Sequence, residues 1–358
     1  MLSSPNPPPG SGSISPVLPV PAPIMLLPGL PANFTMTDLE LLHFWTTKSI
    51  ASFVDFPSCI TLFQTTVVEI ALAHPFLMHE ILSLAALHLS DLKPARSSHY
   101  RHASGIHLAT GLSLFQPEIA NLSTENCHAC YAYAVMIFTH TWASQENDKP
   151  SALFFAPSSM HQELDRGPVQ WIKLHRGSNE IMETLSHLIT EGPLEPLFRP
   201  WKGLDPNRPD PLPPIEEDQL SKLPNSWSSS SLLSEDKETL SSVWKSLRRV
   251  FNILAYNPNI SKLSAVMSWF SMLTENYIKM LKDKVPEALL VVVFYCVALK
   301  RAEHMWWVKG KGENLIRTVM GELGEEWEEW TRWPVEQVLG PGGNRTFFSK
   351  EASWDRKL

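Results

Sequence analysis

From Thr37 onward, apolar residues recur every three to four positions, with polar or charged residues between them. A helix of 3.6 residues per turn gathers such positions into one stripe, so the pattern predicts helices along most of the chain. The first opens at Thr37, where Thr37-x-x-Glu40 reads as a capping box, and runs to about Phe53. A second spans Phe63 to Ala73, with Val67, Ile70 and Ala71 on one face. His74-Pro75 stops it, and Pro75 suits the first turn of the next helix. That third helix carries Leu77, Ile81, Leu84, Ala85 and His88 as an amphipathic stripe. Asp91 to Pro94 is a break, and helices follow at about 95–115 and 126–142. Another begins at Trp171 and continues to about Ile189. The pattern resumes at Glu238–Leu254, Ser261–Lys282, Pro286–Trp307 and Leu315–Trp330. Alternating strand patterns are almost absent and no fixed period repeats, so the predicted fold class is all-α, an irregular multi-helix array.

The interruptions set the domain boundaries. Residues 1–36 are a Pro/Ser-rich tail without apolar period and read as disordered. Residues 37–340 form the all-α domain, with a loop or linker at about 192–234 where proline and serine dominate. Residues 341–358 are a C-terminal tail, and 145–170 is loop-rich.

Composition narrows the classes. Hydrophobic residues make up 44% of the 358, enough for one large core or two modest ones. The 30 basic and 37 acidic side chains leave a net charge of −7. Basic groupings such as Arg248-Arg249 and Lys300-Arg301 are no longer than pairs, so direct DNA binding, which needs clustered cations on phosphates, is not expected. The four cysteines, Cys59, Cys127, Cys130 and Cys296, imply no disulfide framework and fit a reducing compartment. Cys127-x-x-Cys130 has zinc-knuckle spacing, but no second Cys/His pair follows at a suitable distance, so no metal site is assigned. The longest apolar run, Ala288 to Leu299, is too short to span a bilayer and reads as a buried helix. Pro19, Pro21, Pro23 and Pro28 break the apolar stretch Val17 to Leu30, which excludes a signal-peptide helix.

Thirteen histidines raise the question of catalysis. His99, His102 and His107 share a predicted helix, but His107 lies off the face of the other two. His79 and His88 sit in apolar helix text, where a buried neutral ring bonded to a carbonyl is the ordinary role. No Gly-x-Ser-x-Gly, Walker A loop, Gly-x-Gly-x-x-Gly or His-Glu-x-x-His is present. Glu325-Glu326-x-Glu328-Glu329 reads as a solvated face alternating with Trp327 and Trp330. No catalytic residue, cofactor or enzyme activity is therefore assigned. The better candidate is an apolar pocket between the Pro75–Leu92 helix and the Pro286–Trp307 helix. Ala85 and Ala86 leave space on the first, and Phe294, Tyr295 and Trp306 supply walls from the second.

Several segments together carry a family resemblance. They are Asp38-Leu39-Glu40-Leu41-Leu42-His43-Phe44-Trp45, Gln64 to Ala71, His74-Pro75-Phe76-Leu77-Met78-His79, Leu84 to Leu89 and Thr124-Glu125-Asn126-Cys127. Trp171-x-x-Leu174-x-Arg176-Gly177 and the tryptophans Trp306, Trp307, Trp327, Trp330 and Trp333 extend the set. In order and spacing they resemble the C-terminal regulatory domain of fungal zinc-cluster (Zn2Cys6) transcription factors of the sterol-uptake-control type. The resemblance covers about residues 37–340. It implies an all-α regulatory domain, nuclear or nucleocytoplasmic, with a sterol or another lipophilic metabolite as its expected ligand. Either an upstream exon supplies the zinc cluster, or the chain acts by dimerising with full-length zinc-cluster factors or by sequestering a ligand. The six-cysteine cluster of such factors is missing from the sequence, so DNA reading is not expected of this chain. The alternative is a stand-alone lipid-binding or protein-interaction module with no transcriptional role.

Overall fold

Two helices organise the molecule, and both are buried almost all round. In the computed structural model, which describes residues 35–144, 181, 185–204, 211–341 and 343, they lie at Pro75–Leu92 and Pro286–Lys300. Every residue from Phe76 to Ser90 and from Glu287 to Leu299 is buried. A helix hydrophobic on all sides is an interior helix, which explains the run Ala288 to Leu299. The first of the two was expected to be amphipathic. It is not, because neighbours cover its polar positions too, burying Glu80 and Ser83 along with the expected stripe.

In chain order the first helices are α1 (Met36–Phe44), α2 (Pro57–Thr61), α3 (Val67–Ala73), α4 (Pro75–Leu92), α5 (Ser97–Ala120) and α6 (Cys127–Ser144). Next come α7 (Pro214–Lys222), α8 (Pro224–Ser228), α9 (Ser234–Tyr256), α10 (Lys262–Ser271) and α11 (Glu275–Lys282). The last are α12 (Pro286–Lys300), α13 (Lys311–Met320) and α14 (Glu328–Leu339). No strand occurs among the described residues, so the fold is all-α. Its buried side chains form one main core running from Leu41 to Val338.

Several boundaries differ from the sequence reading, each for a local reason. The capping box of α1 is Thr35 with Asp38, not Thr37 with Glu40. The Thr35 hydroxyl accepts from the Asp38 N–H at 3.1 Å, and the Asp38 carboxylate accepts from the Thr35 N–H at 3.0 Å. Glu40 is engaged elsewhere, accepting from the Tyr100 hydroxyl at 2.8 Å and the Lys93 ammonium at 3.1 Å. After Phe44 the chain continues through a π-turn at Trp45–Ser49 and a 3₁₀ turn at Ile50–Ser52. The Trp45 indole N–H donates to the Phe63 carbonyl at 3.2 Å and ties this turn to the segment before α3.

The expected helix over 261–282 is two helices. Thr274 caps the second through the Tyr277 N–H at 3.2 Å. The expected helix to Trp307 ends at Lys300, and turns carry the chain to Gly310, whose φ of +76° admits glycine without strain. The linker expected at 192–234 holds, in its described part, α7, α8 and two 3₁₀ turns at Glu195–Leu197 and Arg199–Trp201. Leu194, Leu220, Leu223 and Trp227 anchor it in the core. Its prolines start helices rather than prevent them, since Pro214 and Pro224 both sit in first turns. The tail before residue 35, the segment Trp171 to Gly177 and most of the tail after 341 lie outside the described residues.

Close packing of α5 on α4 depends on small residues. A Cβ at Gly111 would stand 3.2 Å from the Tyr133 hydroxyl and 3.3 Å from the Phe76 carbonyl.

Candidate functional site

A cavity of about 130 Å³ lies where the chain's early and late segments meet. Phe53 to Phe56, Cys59 and Phe63 form one wall, and Val135, Phe138 and Thr139 of α6 form a second. Ser261, Leu263, Ser264 and Met267 at the start of α10, with Leu197 and Trp307, close it. The lining is mainly aromatic and aliphatic, as is usual for a small-molecule site.

The local sequence explains each wall. Phe56-Pro57 breaks the chain between the first turns and α2, because Pro57 restricts Phe56 to extended backbone. That break turns Phe53 and Phe56 toward a common space. Trp307 is held by its indole N–H, which donates to the Phe53 carbonyl at 3.2 Å, and its ring meets Trp142 edge-on at 6.2 Å between centroids.

Polar groups collect at one end. Asp55 accepts from the Ser261 hydroxyl and from the Leu263 N–H at 3.4 Å, and it pairs with the exposed His304 ring at 3.1 Å. Ser261 is also the cap of α10, its oxygen accepting from the Ser264 N–H at 3.0 Å. The Thr139 hydroxyl donates back to the Val135 carbonyl at 3.2 Å. The Ser264 hydroxyl has no hydrogen-bond partner among the described residues. Burial pushes the Cys59 thiol up, which makes it a poor nucleophile.

The five residues read from sequence as pocket walls have other neighbours. Ala85 and Ala86 are fully buried in α4. Tyr295 stacks on Trp269 at 4.3 Å and donates to the Val266 carbonyl at 3.4 Å. Phe294 packs against Trp333 at 5.7 Å, and Trp306 lies flat on His88 at 4.5 Å. None of the five lines the cavity, whereas Trp307, one position on, does. Both tryptophans lie in the turns after Lys300, where helical periodicity gives no guide to which ring turns inward. The residues that reasoning missed, Phe53, Phe56 and Phe63, left one signal, an aromatic cluster around Pro57.

Four histidines, His79, His88, His107 and His140, serve the core. The Nδ1 atoms of His79 and His107 are hydrogen-bonded to each other at 2.9 Å, and His107 Nε2 reaches Asp38 at 3.2 Å. His88 Nδ1 meets the Ser49 hydroxyl at 2.9 Å, and His140 Nε2 meets Ser104 at 3.0 Å. The partners of His79 and His88 are therefore side chains rather than the carbonyls expected. Burial is the first cause that lowers His79, His88 and His140 to about 4, so these rings are neutral. His99 and His102 are exposed. Glu80 is the anomaly. It is fully buried, neither oxygen has a partner among the described residues, and burial holds its carboxyl well above the usual range. Cys127 and Cys130 are both buried, and burial pushes the Cys130 thiol up to about 12. Among the described residues no group of three His, Cys, Asp or Glu side chains is placed to hold a metal ion, and no helix is long and apolar enough to cross a membrane.

Residues 40–185 match the fungal specific transcription factor domain. A Zn(2)-C6 fungal-type transcription factor of Gibberella zeae is 23% identical over 301 residues, covering 80% of this chain and 57% of that protein. Sterol uptake control protein 2 of Candida albicans is 28% identical over 136 residues, covering 37% of this chain and 18% of that protein. The chain thus spans little more than half of the first relative and under a fifth of the second. The cavity straddles the edge of the matched domain, with Phe53 to Phe63 and Val135 to Thr139 inside it and Ser261 to Met267 and Trp307 beyond it. The resemblance to the regulatory domain of fungal zinc-cluster transcription factors, carried in the sequence by the motifs from Asp38 to Cys127, is therefore borne out, with residues 40–185 as its matched part.

Proposed function

We propose that this chain is the regulatory, ligand-sensing part of a fungal transcription regulator and acts in the nucleus. The observation that carries the reading is the cavity, whose walls come from both the transcription-factor domain and the segment after it. A molecule bound there touches both and so biases how they pack, which is the physical requirement for a ligand switch. The proposal puts the lipophilic ligand beside Trp307 rather than between α4 and α12, where Ala85, Ala86, Phe294, Tyr295 and Trp306 pack against protein neighbours. The match to zinc-cluster factors supports pairing with full-length factors of that type as the route to DNA.

The test is a reporter assay with the full chain fused to a heterologous DNA-binding domain. Ser264→Phe, which replaces a small lining side chain with one bulky enough to fill cavity space, is compared with the wild type. A reporter output that differs from the DNA-binding domain alone, and shifts in the variant, is expected. Fusions indistinguishable from the DNA-binding domain alone would overturn the transcriptional reading and favour a lipid-binding module without that role.

A further inference from the structure

We infer that the cavity takes a neutral molecule of one ring carrying a hydroxyl, such as a substituted phenol, rather than a polycyclic lipid. The inference rests on the reading of this cavity as a ligand site. Three features select the class.

Size comes first. The volume is about 130 Å³. An engineered apolar cavity of about 150 Å³ holds one benzene, whereas sites for larger ligands run from about 300 to 1,000 Å³. A single substituted ring fills this space, and a fused four-ring skeleton does not. The wall is second. Phe53, Phe56, Phe63, Phe138 and Trp307 offer faces and edges to a flat ring.

The polar end is third. Asp55 stands there with three donors already on its carboxylate: Ser261, the Leu263 N–H and His304. A second anion would be repelled by it. An ammonium would have to leave water for a mostly apolar space in which the carboxylate is already engaged. The Ser264 hydroxyl, unpartnered among the described residues, is free to donate to or accept from a neutral hydroxyl.

The experiment is calorimetric and thermal-shift titration of the full chain with p-cresol, toluene, 4-methylbenzoate, benzylamine and ergosterol. p-Cresol is expected to bind and raise Tm, and 4-methylbenzoate and benzylamine are expected to do neither. Ser264→Ala should weaken p-cresol by roughly two- to tenfold, the range of one neutral hydrogen bond, and leave toluene unchanged. Met267→Trp should abolish both, with its urea midpoint and circular dichroism reporting that it remains folded. Ergosterol binding without p-cresol binding would overturn the ligand class while leaving the ligand-sensing reading intact. Failure of every probe to bind, with the reporter difference of the Ser264→Phe fusion preserved, would overturn this inference alone. Equal weakening of toluene and p-cresol by Ser264→Ala would overturn the hydroxyl contact.

Discussion

The Trp307 indole donates to the Phe53 carbonyl at 3.2 Å across 254 residues of chain. This contact joins the two ends of the cavity wall, and both residues are buried. Trp307→Phe keeps an aromatic ring but leaves a buried carbonyl unpaired, which costs about 1–3 kcal/mol. Trp307→Ala also opens a void and should cost about 3–5 kcal/mol. Urea unfolding of the two variants checks both values. A Trp307→Phe chain within about 0.5 kcal/mol of wild type, the range of an inert surface change, would remove the hydrogen bond from the account.

Acid should destabilise the protein well above the pH at which carboxylates alone act. His79, His88 and His140 titrate near 4 in the folded state, lowered first by burial, against an ordinary value of 6.5. Between those values the unfolded chain binds protons that the folded chain refuses. Stability is therefore full above pH 6.5 and falls as pH drops toward 4, by about 3 kcal/mol at most for each ring. Urea midpoints measured at pH 7.0 and 5.0 should show the fall. A flat profile would mean that the rings are hydrated in solution.

Glu80 works in the opposite sense. Its folded carboxyl is held above the ordinary value by burial, so its contribution is present below pH 4.5 and lost as pH rises through the folded value. Glu80→Leu removes a buried carboxyl whose oxygens have no partner among the described residues. It should stabilise the chain at pH 8 by about 1–3 kcal/mol. Glu80→Gln should make the acid-side loss from the histidines steeper, because the opposing group is gone. Both effects are readable from the pH dependence of Tm. A Glu80→Leu chain less stable than wild type at pH 8 would indicate a partner for this carboxylate.

How far the sequence reaches is clearest at the cavity. Helical periodicity placed α4 and α12 because an apolar run of that length, without alternation, has few other outcomes. The same periodicity misjudged the faces of α4. Whether Glu80 faces water depends on the helices packed on α4, α5 and α6 among them, whose arrival is a tertiary event that no local pattern encodes. The prolines of 192–234 looked like breakers, yet Pro214 and Pro224 initiate helices. Composition is blind to whether a proline falls in the first turn or in the interior. The cavity itself joins Asp55 to Ser261 and Phe53 to Trp307 across more than 200 positions. The sequence reading took Trp306 as a wall on the assumption that the helix runs on to Trp307; the helix ends at Lys300, and in the turns that follow it is Trp307 that lines the cavity.

The α4–α5 contact yields a paired test in which one glycine is the control for the other. Gly105 and Gly111 both lie within α5. A Cβ at Gly105 meets nothing within 4 Å, so Gly105→Ala should gain only the intrinsic helix preference of alanine, about 0.5–1 kcal/mol. A Cβ at Gly111 would press on the Phe76 carbonyl at 3.3 Å and the Tyr133 hydroxyl at 3.2 Å. Tyr133 is stacked on Phe115 at 4.3 Å and packed edge-on to Phe76 at 5.5 Å, so it has little room to retreat. Gly111→Ala should therefore forfeit the helix gain and lose a further 1 kcal/mol or so, about the lower end of core overpacking. Thermal melts of the two variants should move in opposite directions from wild type. If both rise, α5 shifts on α4 at little cost, and the close approach at Gly111 is not a constraint on the fold.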